Sequence, residues 1–271
     1  MTTGLEANYN KSEIVIREIV IRGCKPHREQ EILHAMGFSA GTLPLRYLGI
    51  PITASRLSKM ECRSMVDKIT ARIKTWSTRS LAYAGRAALI QSVLLGIFTF
   101  WARILILPQG VIKQVTAICR NFLWGSDIEY RRTPCVAWNE VCLPKPNGGV
   151  GLKNLEAWNK AWIAKLVWEI AKKKDNLWIR WVHGKYLINK DWWDYTTVND
   201  VCWYWSKLSK VKEEFKWGSN AQKKWYWEGD PKGEYKVKAG YEWYQNRQNR
   251  RPTWTKLIWP KPASPRHSFT A

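Results

Sequence analysis

The sequence predicts a mainly α-helical protein with small β elements, an α+β arrangement, and three observations predict it. Apolar residues recur at helical spacing in several windows between Ser58 and Leu187. Ile/Val-rich runs are short and lie near the N-terminal end, and a Trp-rich turn signature lies near the C-terminal end. With 45% hydrophobic and 24% charged residues, the 271-residue chain falls in the globular range, away from compositions that stay disordered.

Taken in order, Lys11–Ile21 reads as one or two short strands, in which Ile14-Val15-Ile16-Arg17 is repeated at once as Ile19-Val20-Ile21-Arg22. That repeat either extends a hairpin or, being odd, flips side chains to the other face. Pro26–Met36 reads as a helix with Gly37 as its cap, and Pro44 and Pro51 bracket an extended Leu45–Ile50. Ser58-Lys59-Met60-Glu61 is a capping box ahead of a helix whose inner face is Met65, Val66, Ile69, Ile73 and Trp76. Its outer face carries a basic row of Lys68, Arg72 and, if the helix runs on, Arg79.

A second helix starts near Ala82 and runs to Pro108. Its uninterrupted apolar part, Val93–Ala102, is too short for a bilayer of about 30 Å, with Arg86 before it and Arg103 after it. This is a buried helix, and no membrane partner is expected. Val111–Trp124 is the clearest helix, with a stripe of Val111, Ile112, Val115, Ile118, Cys119, Phe122 and Leu123 and with Lys113 and Arg120 outside it. Arg131–Leu152 reads as loop, in which Gly148, Gly149 and Gly151 form a turn and helix entry in preference to a phosphate cradle. A helix over Asn154–Lys174 has Leu155, Trp158, Ile163, Leu166, Val167 and Ile170 on its apolar face, and Lys172–Lys174 complement its dipole. Another follows over Leu177–Leu187. Beyond Lys190 come short Trp-rich pieces, a hairpin over Lys224–Lys238, a short helix through Tyr241 and Tyr244, and a Pro-rich tail after Arg250.

The 44 Lys and Arg outnumber the 22 Asp and Glu to give a formal charge of +22, which calls for a polyanionic partner. Basic residues interleaved with 19 Trp suit RNA or DNA, bound without sequence preference and with strong salt dependence. The six Cys never fall at C-x-x-C spacing, so no zinc site is expected, and the thiols read as reduced core residues of an intracellular protein. No signal peptide is read at Met1-Thr2-Thr3-Gly4. Two-metal phosphoryl transfer needs converging carboxylates. The Asp residues at 67, 127, 175, 191, 194, 200 and 230 include no adjacent pair and no D-x-D, and Asp191 and Asp194 read as solvated surface groups. No catalytic or metal-ligating residue is assigned.

Leu43-Pro44-Leu45-Arg46-Tyr47-Leu48-Gly49-Ile50-Pro51, Lys68–Trp76 and Leu81-Ala82-Tyr83-Ala84-Gly85-Arg86 come in one order with Phe122-Leu123-Trp124-Gly125, Val136-Ala137-Trp138, Cys142-Leu143-Pro144-Lys145 and Gly148–Leu152. In these words, across nearly its whole length, the chain resembles the reverse transcriptases of plant LINE-type (non-LTR) retrotransposons. The resemblance implies a palm remnant over 1–51, where Gly4-Leu5, Asn8, Lys11 and Ser12 follow the catalytic Tyr-x-Asp-Asp turn and Lys11 matches a lysine near the incoming nucleotide. It implies a thumb-like helical domain over 52–135, connection helices over 136–190, and a partial zinc-binding region over 191–271 that stops before its ligands. Mg²⁺ and Zn²⁺ are then expected of a full-length relative alone, and no cofactor of this fragment.

The expected function is that of a catalytically incomplete fragment of an RNA-directed DNA polymerase that retains non-specific affinity for RNA and DNA. Lys11, Lys68, Arg72, Arg79 and Arg86 are its candidate nucleic-acid-binding residues. Two alternatives stand beside it: a mis-cut part of an intact reverse transcriptase, and a domesticated Trp-rich module that binds protein. A missing palm is a further candidate partner, and the Ile-Val-Ile-Arg duplication departs from the family pattern.

Overall fold

The computed structural model describes residues 13–14, 31, 34–35, 39–40, 43–53, 55–78, 80–125, 127–128, 134, 136–188, 190–197, 201–216, 227, 230 and 232–245; for 13–14, 39–40 and 215–216 it describes the backbone alone. The architecture is mainly α with two small two-stranded sheets. The chain divides into two compact units, Met1–Arg56 and Leu57–Ala271.

In the first unit, β1 (Glu13–Ile14) pairs in parallel with β2 (Ser39–Ala40). Glu31, His34 and Ala35 are helical, inside the helix expected over Pro26–Met36. The rest of that helix and most of the Ile-Val-Ile-Arg duplication lie outside the described residues. The stretch expected to run extended to Ile50 instead folds back on itself. Here β3 (Leu45–Tyr47) is antiparallel to β4 (Ile50–Ile52), with Tyr47 opposite Ile50. The two linking residues, Leu48 at φ 51° and Gly49 at φ 81°, are both left-handed, as a two-residue hairpin loop requires.

The second unit begins at the capping box. Ser58 N–H donates to Glu61 Oε2 at 2.5 Å and Glu61 N–H donates to Ser58 Oγ at 3.3 Å. The box closes a turn one step ahead of the helix proper, and α1 spans Arg63–Ser77 with Met65, Val66, Ile69 and Ile73 buried. Next comes α2 (Tyr83–Ala102), whose segment Ile90–Leu94 is wound as a π-helix. At about 1.5 Å per residue it is about 30 Å long. By length and composition it could therefore cross a membrane, which corrects the shorter span read from Val93–Ala102. Within this fold Ala87, Ile90, Leu94, Phe98, Trp101 and Ala102 are buried against α1 and against α3 (Gln109–Gly125), whose whole expected stripe is buried.

The second helix stops at Ala102, short of Pro108, and the backbone beyond it is tied to a side chain from elsewhere in the chain. Asn159, itself buried, donates from Nδ2 to the carbonyls of Ala102 (3.0 Å) and Leu105 (2.8 Å), and its Oδ1 accepts from Leu107 N–H (3.1 Å). The non-helical segment is thus satisfied by α5 (Leu155–Ala171) instead of by its own turn.

After the short α4 (Trp138–Val141), the loop expected around the glycines is a compact turn. Gly148 N–H donates to Lys145 O, Gly149 N–H to Pro144 O and Gly151 N–H to Leu143 O. These amides are committed within the loop, which agrees with a turn and not with a phosphate cradle. Asn154 caps α5, accepting from Ala157 N–H at 3.1 Å.

Helix α5 is the spine of the unit, packed by α2, α3, α6 (Leu177–Lys185), α7 (Trp203–Lys216) and α8 (Val237–Gln245). It buries Asn159, Ala161, Ala164, Trp168 and Ala171 in addition to Leu155, Ile163, Val167 and Ile170 of its expected face, while Trp158 and Leu166 are half-buried. A second core forms around Ile163, Val167, Trp192, Trp205, Leu208 and Tyr235. The 14-residue α7 lies where the sequence suggested short pieces, because one of its buried positions is held by a lysine. Lys212 is fully buried, donates to Trp192 O (3.2 Å) and Tyr195 O (2.5 Å), and lies 5.1 Å from the Trp192 ring. Of the expected Lys224–Lys238 hairpin, the described residues show a tight turn in which Trp227 N–H donates to Gly233 O and Gly233 N–H donates to Asp230 O. The tail after Arg250 lies outside the described residues.

Candidate nucleic-acid interface

The basic row expected on α1 follows from its stripe. Because Met65, Val66, Ile69 and Ile73 turn inward, Lys68 and Arg72, one turn apart, stand together on the opposite face, with Lys74 also exposed. None of the three meets a carboxylate at ion-pair distance among the described residues, and the acid of this face, Asp67, lies 3.8 Å from Arg63. Lys11 and Arg79 lie outside the described residues. Arg86 is placed differently. It is half-buried, donating from Nε to Leu123 O at 2.9 Å and from Nη1 to Leu81 O at 3.1 Å. Burial lowers its pKa from the ordinary value. The structure thus brings Lys68 and Arg72 together at the surface and gives Arg86 to the joint between α2 and the end of α3.

Elsewhere the interleaving of cations and rings is largely internal. The Arg103 guanidinium lies 4.7 Å from the Trp162 ring, Lys153 Nζ lies 4.2 Å from Tyr241 and 4.9 Å from Trp158, and Lys172 Nζ lies 5.1 Å from Trp168. Such contacts are worth about 0.5–2 kcal/mol each. Burial pulls the Lys153 ammonium down from its usual range. Exposed rings remain on α6, where Trp181 is 51% exposed beside Lys185, whose Nζ sits 5.2 Å from its centroid. Trp178 lies on the same helix and is also exposed. Sequence reasoning did not single out this pair, although Trp178, Trp181 and Lys185 at helical spacing was a readable signal.

Cys62, Cys119 and Cys142 are buried, and burial pushes each thiol up to about 12. They behave as core residues and not as nucleophiles. Cys24 and Cys135 lie outside the described residues, and Cys202 is exposed.

No protein-family profile matches the chain. Over 141 residues it is 29% identical to a protein of Arabidopsis thaliana provisionally named a ribonuclease H protein; the match covers 52% of this chain and 23% of that protein. Over 108 residues it is 24% identical to an uncharacterised mitochondrial protein of the same plant, covering 40% of this chain and 70% of the relative. Both relatives are plant proteins. The chain spans under a quarter of the length of the first.

Proposed function

We propose that this chain is retrotransposon-derived and binds RNA and DNA without sequence preference, as a part of a LINE-type reverse transcriptase that contributes grip and not chemistry. The observation that carries the reading is the exposed pairing of Lys68 and Arg72 on α1, neither of them at ion-pair distance from a carboxylate among the described residues, in a chain of charge +22. Phosphates exchange condensed counterions for such side chains, whatever the base sequence. The first relative supports the class of partner through its name, since a ribonuclease acts on RNA. The order of family words in the sequence supports the polymerase origin, in which α1, α2 and α3 are thumb-like helices. Lys11, Arg79 and Arg86 remain candidates by family position, and no cofactor is assigned to these residues.

The test is fluorescence anisotropy of the full chain with labelled single-stranded RNA and duplex DNA across about 50–200 mM salt. The expected result is similar affinity for unrelated sequences, a steep fall with salt, and a shallower fall for Lys68→Ala with Arg72→Ala. Affinity that does not change with salt would sink the reading. Retention of one protein partner after nuclease treatment would favour the protein-binding module instead.

A further inference from the structure

Leu177, Trp178 and Trp181 of α6, and Ile188 just beyond it, are large apolar side chains left open to solvent. They are outside because Ile179 and Val182 take the inner side of the helix. Trp178, Trp181 and Lys185, three and four residues apart, are neighbours on the outer side. The exposed ring is braced from within: Trp181 meets Tyr186 edge-on with 5.7 Å between centroids, and Tyr186 stacks on the buried Trp205 at 4.5 Å. Lys185 Nζ lies 5.2 Å from the Trp181 centroid and 5.8 Å from that of Tyr186. It has no carboxylate at ion-pair distance among the described residues. The helix carries Arg180, His183 and Lys185 and no acidic residue. Beside it runs a groove of about 770 Å³, lined in part by Gly184 and Ile188 and by the exposed Lys173 and Lys190. The acid of that groove, Asp191, accepts from Trp193 N–H at 2.8 Å.

We infer that the outer face of α6 is a stacking platform for unpaired nucleobases, with the Trp178 and Trp181 rings as the surfaces on which bases lie and Lys185 as counter-charge to the phosphates beside them. Inside a duplex each base face is covered by the next base, so exposed rings favour single strands where cations alone do not. Charge selects this occupant. A lipid layer or an apolar protein face would have to take in Lys185, which sits against the Trp181 ring, with no carboxylate to meet it. Helices that lie in a lipid interface keep their cations on the polar side instead. A second copy of the chain brings the same cations and a further charge of +22. A single strand brings aromatic faces and negative charge together, which is what the helix presents. The inference rests on the function proposed above and adds to it a preference for unpaired strands.

The experiment uses the full chain, the double variant Trp178→Ala with Trp181→Ala, Trp181→Phe as the conservative change, and Lys185→Gln. Two readouts are taken: anisotropy with a labelled single-stranded DNA and with its duplex at several salt concentrations, and fluorescence of the same single strand carrying 2-aminopurine, which is quenched on stacking. The double variant is expected to bind the single strand at least about 5-fold more weakly, the loss of one stacked base. Its duplex affinity and its salt slope should stay at wild-type values, because no charge is removed. Trp181→Phe should keep most of the affinity, and Lys185→Gln should flatten the single-strand slope by about 0.7. Single-strand affinity and quenching in the double variant equal to wild type, or an equal loss on strand and duplex, overturn the platform and leave the wider function standing. Wild-type protein that binds neither probe overturns the platform together with that function. Wild-type single-strand binding in the double variant, alongside lost sedimentation with phosphatidylserine vesicles or lost self-association in the ultracentrifuge, gives the face to lipid or to a second copy and overturns the strand. If the double variant does not fold, the wild type decides: no quenching of 2-aminopurine at saturation overturns the proposal.

Discussion

The Asn159 side chain caps the backbone of Leu107 across the fold: its Oδ1 accepts from the Leu107 N–H at 3.1 Å while its Nδ2 serves the carbonyls of Ala102 and Leu105. One carboxamide therefore ties the end of α2 and the approach to α3 to the spine helix α5. Replacing it with Ala strands these groups in the interior, at about 1–3 kcal/mol for each buried group left unmet. Asn159→Ala is expected to lower the urea midpoint by at least the equivalent of about 2 kcal/mol with an unchanged m-value. A loss within about 0.5 kcal/mol, the scatter of surface substitutions, would contradict the role given to Asn159.

Arg86 and the α1 row should separate by what they damage. Arg86→Ala removes donors from Leu123 O and Leu81 O and should cost about 1–3 kcal/mol of stability. Lys68→Ala and Arg72→Ala, both at exposed positions, should stay within about 0.5 kcal/mol while reducing the salt slope of RNA binding. Thermal melts beside anisotropy titrations make the comparison.

Gly149 is needed for closeness and not for a ligand. A Cβ at this position would overlap the carbonyl of Leu143 and crowd that of Glu140, both of them backbone atoms. Gly149→Ala should therefore destabilise the chain by about 1–3 kcal/mol, the usual cost of overpacking. RNA affinity per folded molecule should be unchanged, as measured after correcting for the folded fraction.

Lys236 Nζ donates to Asp230 Oδ1 at 2.6 Å, and this hydrogen bond is the largest cause holding the Asp230 carboxyl below its usual range. A carboxyl with a depressed folded pKa stabilises the fold above its unfolded value of about 3.9, and loses that contribution as the pH falls through the lower folded value. Lys236→Met should flatten the acid side of the stability profile below about pH 4. Unfolding midpoints measured from pH 6 downward, on the order of the window in which carboxyls titrate, test this. An unchanged acid limb would remove Lys236 as the cause.

What the sequence made legible follows a physical division. Helix α3 was readable because one face is apolar and the other polar, so Val111, Ile112, Val115, Ile118, Cys119, Phe122 and Leu123 fall on one stripe, and all are buried. The spine α5 was readable as a helix but not in its burial, because a helix packed from several directions spends Ala161, Ala164 and Asn159 on neighbours no periodicity reveals. Helix α7 escaped notice because Lys212 occupies a core position. The β3–β4 hairpin escaped because Leu48 takes a left-handed conformation that its side chain disfavours.

The candidate site divides in the same way. Lys68 and Arg72 were visible as the back of an amphipathic helix, and the structure leaves them at the surface. Trp178, Trp181 and Lys185 share the outer side of α6 because Ile179 and Val182 turn inward, a spacing that was readable as well. Interleaved cations and rings were readable as a nucleic-acid signal, but Arg103, Lys153 and Lys172 are partly spent on the protein's own indoles.

The sealed amine of Lys212 gives the second core a clock of its own. A primary amine with no exposure, held by the carbonyls of Trp192 and Tyr195 and by the Glu213 carboxylate at 3.1 Å, cannot meet an acylating reagent until the packing around it opens. Its acetylation rate in the native protein, followed by mass spectrometry of the peptide that contains it, times that single opening event apart from global unfolding.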